Sequence, residues 1–424
     1  MIKIYKDGLK FREEIFTVKT EKPNVTAIVE DIIANVVNNG DKALYDYAEK
    51  FDKVKLNSLK VTEDEILSAY NSVPTEFIDI LKKAKQNIEE FHLKQVRDGF
   101  KIERSNGVIV GQKIIPIERA GIYVPGGTAA YPSTVLMDSI PALVAGCKRV
   151  VMVSPPDKTG SINPVILAAA YVAGVKEIYK VGGAQAVAAL AYGTETIPKV
   201  DKIVGPGNAF VAEAKRQVYG QVSIDMIAGP SEILVIADDT NRAKDVAADL
   251  LSQAEHDKMA SSVLVTDSLD FANQVSNEIE RQIPLLDRSE IARKSIDDNG
   301  KIIVTDSIDS AIELSNAIAP EHLEICVDDP FKYLDKVTHA GSVFLGKYCP
   351  EAIGDYIAGT NHTLPTSGTA RFSSALSVDD FIKKTQYIYY NKNALQQDAY
   401  DVEYFANKEG LTAHAKSAVI RFED

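Results

Sequence analysis

No stretch of this chain is apolar for the length that a bilayer crossing requires, and its opening residues, Met1-Ile2-Lys3-Ile4-Tyr5-Lys6-Asp7, lack the apolar core of a secretory signal. Cysteine is scarce. Cys147, Cys326 and Cys349 are widely separated and form no Cys-x-x-Cys pair, which excludes an even disulfide framework and leads us to expect a reducing compartment. Cations are outnumbered, 47 Lys and Arg against 60 Asp and Glu for a net charge of -13, so a nucleic-acid groove or an anionic membrane surface is not expected as the main partner. No Gly-x-Gly-x-x-Gly fingerprint is present, so a conventional dinucleotide turn is not assured. These absences leave a cytoplasmic protein that acts on a small molecule.

What is present is a chain of 424 residues, 45% hydrophobic, long enough for a large core divided over two or more domains. Residues 1 to about 100 are mixed and charged, with helical periodicity over 25–50 and 62–96; His92, in a Lys/Glu-rich run, reads as a surface histidine. From Glu118 the texture changes to short apolar runs (120–124, 149–153, 177–181, 202–204), most ending in glycine and each followed by an alanine-rich helical stretch (133–145, 164–173, 184–192, 208–219). The pattern restarts at 232–237 and continues through 262–265, 301–304, 323–327 and 342–345. Strand, tight turn, helix, repeated, predicts α/β architecture with doubly wound parallel sheets, which bind ligands at the carboxyl ends of their strands. After Gly346 an irregular Gly/Thr/Ser/Pro-rich stretch to Ser374 reads as a long functional loop, and the tail from Asp379 as two helices and a last strand over 417–422.

Several groups of residues could carry chemistry. In Ser252-Gln253-Ala254-Glu255-His256, Gln253 and His256 share a polar helix face with Asp249, beside an apolar face of Ala243, Ala247, Leu250, Leu251 and Ala254. An amide oxygen and an imidazole one turn apart could hold a metal from one side, or could form a hydrogen-bonded surface feature. Pro320-Glu321-His322 joins a carboxylate to an imidazole, the pair needed to abstract a proton and activate water, provided that a turn at Pro320 lets them act together. Asp355 and His362 lie in the long loop, Glu409 and His414 in the tail. Gly182-Gly183 and Gly205-Pro206-Gly207 could cradle a pyrophosphate or serve only as sharp turns. Cys326 and Cys349 have the chemistry of nucleophiles but no evident activating base.

Six motifs in one order carry a resemblance. Ile117-Glu118-Arg119-Ala120-Gly121-Ile122-Tyr123-Val124-Pro125-Gly126-Gly127, Gly205-Pro206-Gly207-Asn208, Gly229-Pro230-Ser231-Glu232, Ser252-Gln253-Ala254-Glu255-His256, Pro320-Glu321-His322-Leu323 and Gly359-Thr360-Asn361-His362 together resemble histidinol dehydrogenase, from about residue 25 to the end. Lys258 stands where proline is more usual, and the first residues match poorly.

The resemblance implies oxidation of L-histidinol to L-histidine in two hydride transfers to NAD+, the last steps of histidine biosynthesis. It implies Gln253, His256, Asp355 and His414 as ligands of zinc, and Glu321 and His322 as the catalytic pair. Ser231, His362 and Glu409 match substrate-contacting positions, and Tyr123, Gln185 and Asn208 match NAD positions. It further implies a homodimer in which each tail completes the partner's site. The expected division is a 1–22 arm, a first α/β domain of 23–117 and 233–370 bearing the metal and catalytic residues, an NAD-binding α/β domain of 118–232, and a tail of 371–424. Both α/β domains are expected to be incomplete Rossmann-like sheets. A cysteine-dependent aldehyde dehydrogenase and a non-enzymatic metal- or nucleotide-binding regulator are the alternatives.

Overall fold

The computed structural model describes residues 1–6, 24–126 and 130–423, and its chain divides into two compact units, Met1–Gln95 with Ile117–Phe381, and Val96–Pro116 with Ile382–Asp424. Of the expected arm, residues 7–22 lie outside the described residues, as does Gly127.

The larger unit holds two parallel sheets. In one, β4 (Arg119–Tyr123), β5 (Arg149–Ser154), β6 (Glu177–Lys180), β7 (Lys202–Val204) and β8 (Ser223–Ile224) lie in the order β6-β5-β4-β7-β8. Ala120 aligns with Val150 on one side and Lys202 on the other. In the second, β9 (Glu232–Ala237), β10 (Ser261–Thr266), β11 (Lys301–Val304), β12 (His322–Cys326) and β13 (Ser342–Leu345) follow the order β11-β10-β9-β12-β13, and β1 (Lys3–Lys6) adds a parallel edge beside β11. Counting each from its first strand after the arm, both read 3-2-1-4-5, the dinucleotide-binding order without its sixth strand. The expected incomplete Rossmann-like pair is therefore present.

Local sequence explains the element ends. Helix α4 (Pro132–Ala145) starts on a proline and stops at Gly146 in the left-handed region; α5 (Pro164–Ala173) is capped by the Asn163 side chain and stops at Gly174. Helix α6 (Gly183–Tyr192) is almost wholly buried, because its alanines let it lie close to the sheet. Ser268 and Ser307, which end the paired strand exits Val265-Thr266-Asp267-Ser268 and Val304-Thr305-Asp306-Ser307, cap the helices that follow.

Three expectations about the helices before residue 100 need correction. The periodic run 62–96 is two helices, α2 (Glu63–Ser72) and α3 (Thr75–Leu93), because Pro74 interrupts it. These helices and α1 (Thr26–Tyr47) pack onto the first sheet described, not onto the one after residue 232: Ile66, Ile78 and Ile88 share a core with Ile122 and Met152, and Val29 and Leu44 share one with Val151 and Leu190. An apolar face specifies burial but not the partner. His92, expected at the surface, is fully buried at the end of α3, its Nδ1 2.7 Å from the Gln95 side-chain oxygen.

In the smaller unit β2 (Phe100–Glu103), β3 (Ile109–Pro116) and β14 (Ile382–Tyr389) form an antiparallel sheet in the order β14-β3-β2. Thus the tail, expected to hold two helices and a last strand, has its two helices but opens on a strand at 382–389, and the unit begins with residues 96–116 instead of at 371 alone. Helices α14 (Lys392–Lys408) and α15 (Thr412–Val419) pack as a hairpin about Gly410. The strand expected over 417–422 is the end of α15 and a 3-10 turn, Ile420–Phe422.

Candidate active site

The two sheets of the larger unit meet one cavity of about 910 Å³ with opposite ends. Gly205-Pro206-Gly207-Asn208, after β7, lies at the carboxyl end of its sheet, as doubly wound folds lead one to expect. Glu321 and His322 stand at the amino end of β12, so the acid–base pair occupies the edge of the second sheet that the rule does not favour.

The turn needed to bring this pair together is made by Ala319, in the left-handed region at φ 57°, followed by Pro320. Glu232, the first residue of the neighbouring β9, then fixes both side chains with its backbone. Its N–H donates to Glu321 Oε2 at 2.8 Å, and its carbonyl oxygen, which can only accept, takes the His322 Nδ1 hydrogen at 3.0 Å. When the ring is neutral, that tautomer leaves the lone pair on His322 Nε2, a buried atom without a hydrogen-bond partner. Around the ring stand Glu321 Oε2 at 3.6 Å from Nδ1, and Glu351 Oε1 and Asp355 Oδ1 each at 3.8 Å from Nε2.

Charge in this enclosure is shared. Burial, the largest influence, acts to lower the His322 pKa, but the surrounding carboxylates of Glu351, Glu321 and Asp355 outweigh it and push it up to about 10. Burial pushes Glu321 up to about 8 against the opposing pull of His322, and Glu351 up to about 7. Asp355 differs: burial would raise it, yet the neighbouring His322 and His362 hold its carboxyl below the usual carboxylate range.

One ligand atom each of His322, Glu351 and Asp355 lies within 4.8 Å of the others, a spacing that could hold a metal ion. Glu351 and Asp355 come from α13 (Glu351–Tyr356), one turn apart on a short helix inside the stretch expected to be loop. Gln253, in the last turn of α8 (Ala243–Ala254), is 1% exposed and reaches the same cluster, its amide nitrogen 3.0 Å from Glu351 Oε1. His256 follows on the exposed turn after α8 and lines the cavity with Ser231 and His362. His362 is held there because Asn361 and Thr363 on either side bond α4, to the Met137 carbonyl and the Asp138 carboxyl.

The positions matched to NAD are only partly joined to this cavity. Asn208 lines it, and its side-chain oxygen caps α7 (Ala209–Val218) by accepting from Phe210 and Val211. Tyr123, at the end of β4, has its buried hydroxyl oxygen accept the Gly183 N–H at 3.0 Å, and burial pushes its pKa up to about 12. Gln185 is buried in the first turn of α6. Neither Tyr123 nor Gln185 lines the cavity among the described residues. Glu409 and His414 belong to the smaller unit, where both are exposed.

The glycine turn is rigidly built. At Gly205 (φ 116°) a Cβ would stand 2.2 Å from the Tyr123 carbonyl oxygen, so only glycine fits. Its N–H donates to Asp225 at 2.8 Å and its carbonyl accepts from Lys215 Nζ at 2.9 Å, while Lys215 and Asp225 form a buried ion pair. Lys215→Met strands the Asp225 carboxylate in the interior and is expected to cost about 3–5 kcal/mol, measured by urea unfolding; a loss below about 1 kcal/mol would contradict a structural role for the pair.

The cysteines take no part in the cluster. Burial pushes the Cys147 thiol up to about 12 and raises that of Cys326 further, next to Glu324, and none of the three lines the cavity among the described residues.

Two incomplete dinucleotide-type sheets meeting at a buried, acid-flanked imidazole define an α/β enzyme built to move protons. The family model described as histidinol dehydrogenase matches residues 17–422. The histidinol dehydrogenase of Clostridium acetobutylicum is 56% identical over 428 residues, covering 100% of this chain and 99% of that one, and a Bacillus cereus histidinol dehydrogenase is 54% identical over 422 residues, covering 98% of each. The crystal structure of histidinol dehydrogenase from Elizabethkingia anophelis matches with a TM-score of 0.95 at 43% identity, covering 100% of this chain and 98% of that one. The chain belongs to the histidinol dehydrogenase family, and so to the oxidoreductases.

Proposed function

We propose that the protein oxidises L-histidinol to L-histidine through L-histidinal in the cytoplasm, using NAD+ and zinc, as the closing steps of histidine biosynthesis. The observation that carries this reading is the unpartnered His322 Nε2, on a ring fixed by Glu232 and lining a cavity that the Gly205 turn also lines.

The residues fit a zinc ion. Gln253 Oε1 is buried without a hydrogen-bond partner in the cavity that His256 and Asp355 also line, an oxygen and nitrogen donor set that a divalent cation satisfies. Gln253, His256 and Asp355 would hold it, with the partner subunit's His414 as the fourth ligand. Bound zinc would supply a fixed positive charge that orients the substrate, and NAD+, near Tyr123, Gln185 and Asn208, the hydride acceptor for both oxidations. His322 Nε2, which the charge of bound zinc among the same carboxylates would keep neutral, takes the hydroxyl proton as the alcohol carbon is oxidised. Glu321 then draws a proton from the water that adds to the aldehyde, and His322 takes the hydroxyl proton of the resulting hydrate. Ser231 and His362 line the substrate space, and Glu409 reaches it from the partner's tail.

The helix hairpin of the smaller unit supports the dimer, since Tyr400, Tyr404, Phe405 and Leu411 stand exposed there as a second copy could cover them. Separated subunits are then expected to be inactive; a fully active monomer, seen by sedimentation coupled to assay, would refute the shared site. The function itself is tested by supplying histidinol and NAD+: NADH should form, cease with a zinc chelator and resume when zinc is returned.

A further inference from the structure

Glu351 is a buried acid to which the proposed chemistry gives no task. It opens α13, is 3% exposed, and is anchored by its own backbone N–H, which donates to the Glu324 carboxylate at 2.7 Å. We propose that Glu351 is a positioning residue that orients the Gln253 side-chain amide so that its oxygen, and not its nitrogen, faces the metal position. This rests on the zinc reading above.

The two ends of an amide are nearly equal in size, so neighbours decide which end points where. Gln253 has two. His322 Nδ1, 3.1 Å away, carries a hydrogen directed at the Glu232 carbonyl and by itself would favour the amide oxygen. Ionised, as it would be beside a bound cation, Glu351 accepts without donating and tolerates only the amide nitrogen, 3.0 Å from its Oε1. The carboxylate prevails, because the opposite orientation would set two oxygen lone pairs against each other inside the protein. The consequence is visible in Gln253 Oε1, which is buried, unpartnered and free to donate to a cation. Turned the other way, the amide would present hydrogens and repel the ion. A glutamine at 351 can offer either a donor or an acceptor, so the orientation is no longer dictated.

The test is a double-mutant cycle on zinc affinity, read by competition between the full-length apo-protein and a chromogenic chelator, with urea unfolding of each apo variant as a check on folding. Glu351→Gln should weaken zinc about 10–100-fold. In a Gln253→Glu background, where both ends of the ligand are oxygens, the same change should move the affinity by less than about threefold. Equal weakening in both backgrounds would make Glu351 a direct ligand and overturn the proposal, as would a Glu351→Gln protein that binds zinc like wild type. Wild-type protein that takes up no zinc would overturn the zinc reading itself, and this inference with it.

Discussion

His322→Asn is expected to slow both oxidations, of histidinol and of histidinal, by about 10²–10⁴-fold. The asparagine amide can still donate to the Glu232 carbonyl that receives the His322 Nδ1 hydrogen, so the amino end of β12 has its bond and the fold should survive. What is lost is Nε2, the unpartnered atom proposed to accept the substrate proton. Because both oxidations remove a hydroxyl proton, both must suffer. NADH traces started separately from histidinol and from histidinal measure the two steps, and a variant that keeps the wild-type rate in either would show that another base serves that step. In the metal-free protein the change also removes the cation that Glu351, Glu321 and Asp355 surround. The His322 pKa is raised on folding, so this stabilisation is fully present below its ordinary value and is lost as pH rises through about 10. The apo variant should therefore unfold more readily than apo wild type near neutrality.

Glu321→Gln divides the reaction. Its amide oxygen can accept the Glu232 N–H as the carboxylate does, so His322 stays oriented and histidinol oxidation should remain within a few-fold of wild type. Hydration of the aldehyde loses its base, and the histidinal step should fall about 10²–10⁴-fold. The pH profile gives a second reading. Burial raises Glu321 to about 8, so the base form grows as pH rises through that value, and the histidinal rate should climb with it in wild type and not in the variant. Equal losses in both steps would refute the separate role of Glu321.

Much of this was legible in the residues. The sheet strands stand out because they are short apolar runs, most closed by glycine, and Pro320 signals a turn there, though not that Ala319 makes it in the left-handed region. Glu321, His322, Gln253 and His256 are recognisable from their motifs. Glu351 was missed, although its spacing of four from Asp355 marks one helix face, because the surrounding Gly, Thr and Pro read as loop. The Glu232 role was invisible for a different reason: it is exerted through backbone atoms, which every residue has. Likewise the helical periodicity of 26–93 identifies buried faces without naming the sheet that covers them. Strand β14 escaped because its alternation, with most of its side chains exposed, lacks an apolar face.

The central claim is that one site, built on His322 and Glu321 beside a zinc ion, carries an alcohol to an acid. Counting NADH formed per histidinol consumed, with and without a zinc chelator, tests it most directly. The account predicts two NADH per histidinol, lost with the chelator and restored by zinc. One NADH per histidinol with histidinal accumulating, or turnover indifferent to the chelator, would contradict it.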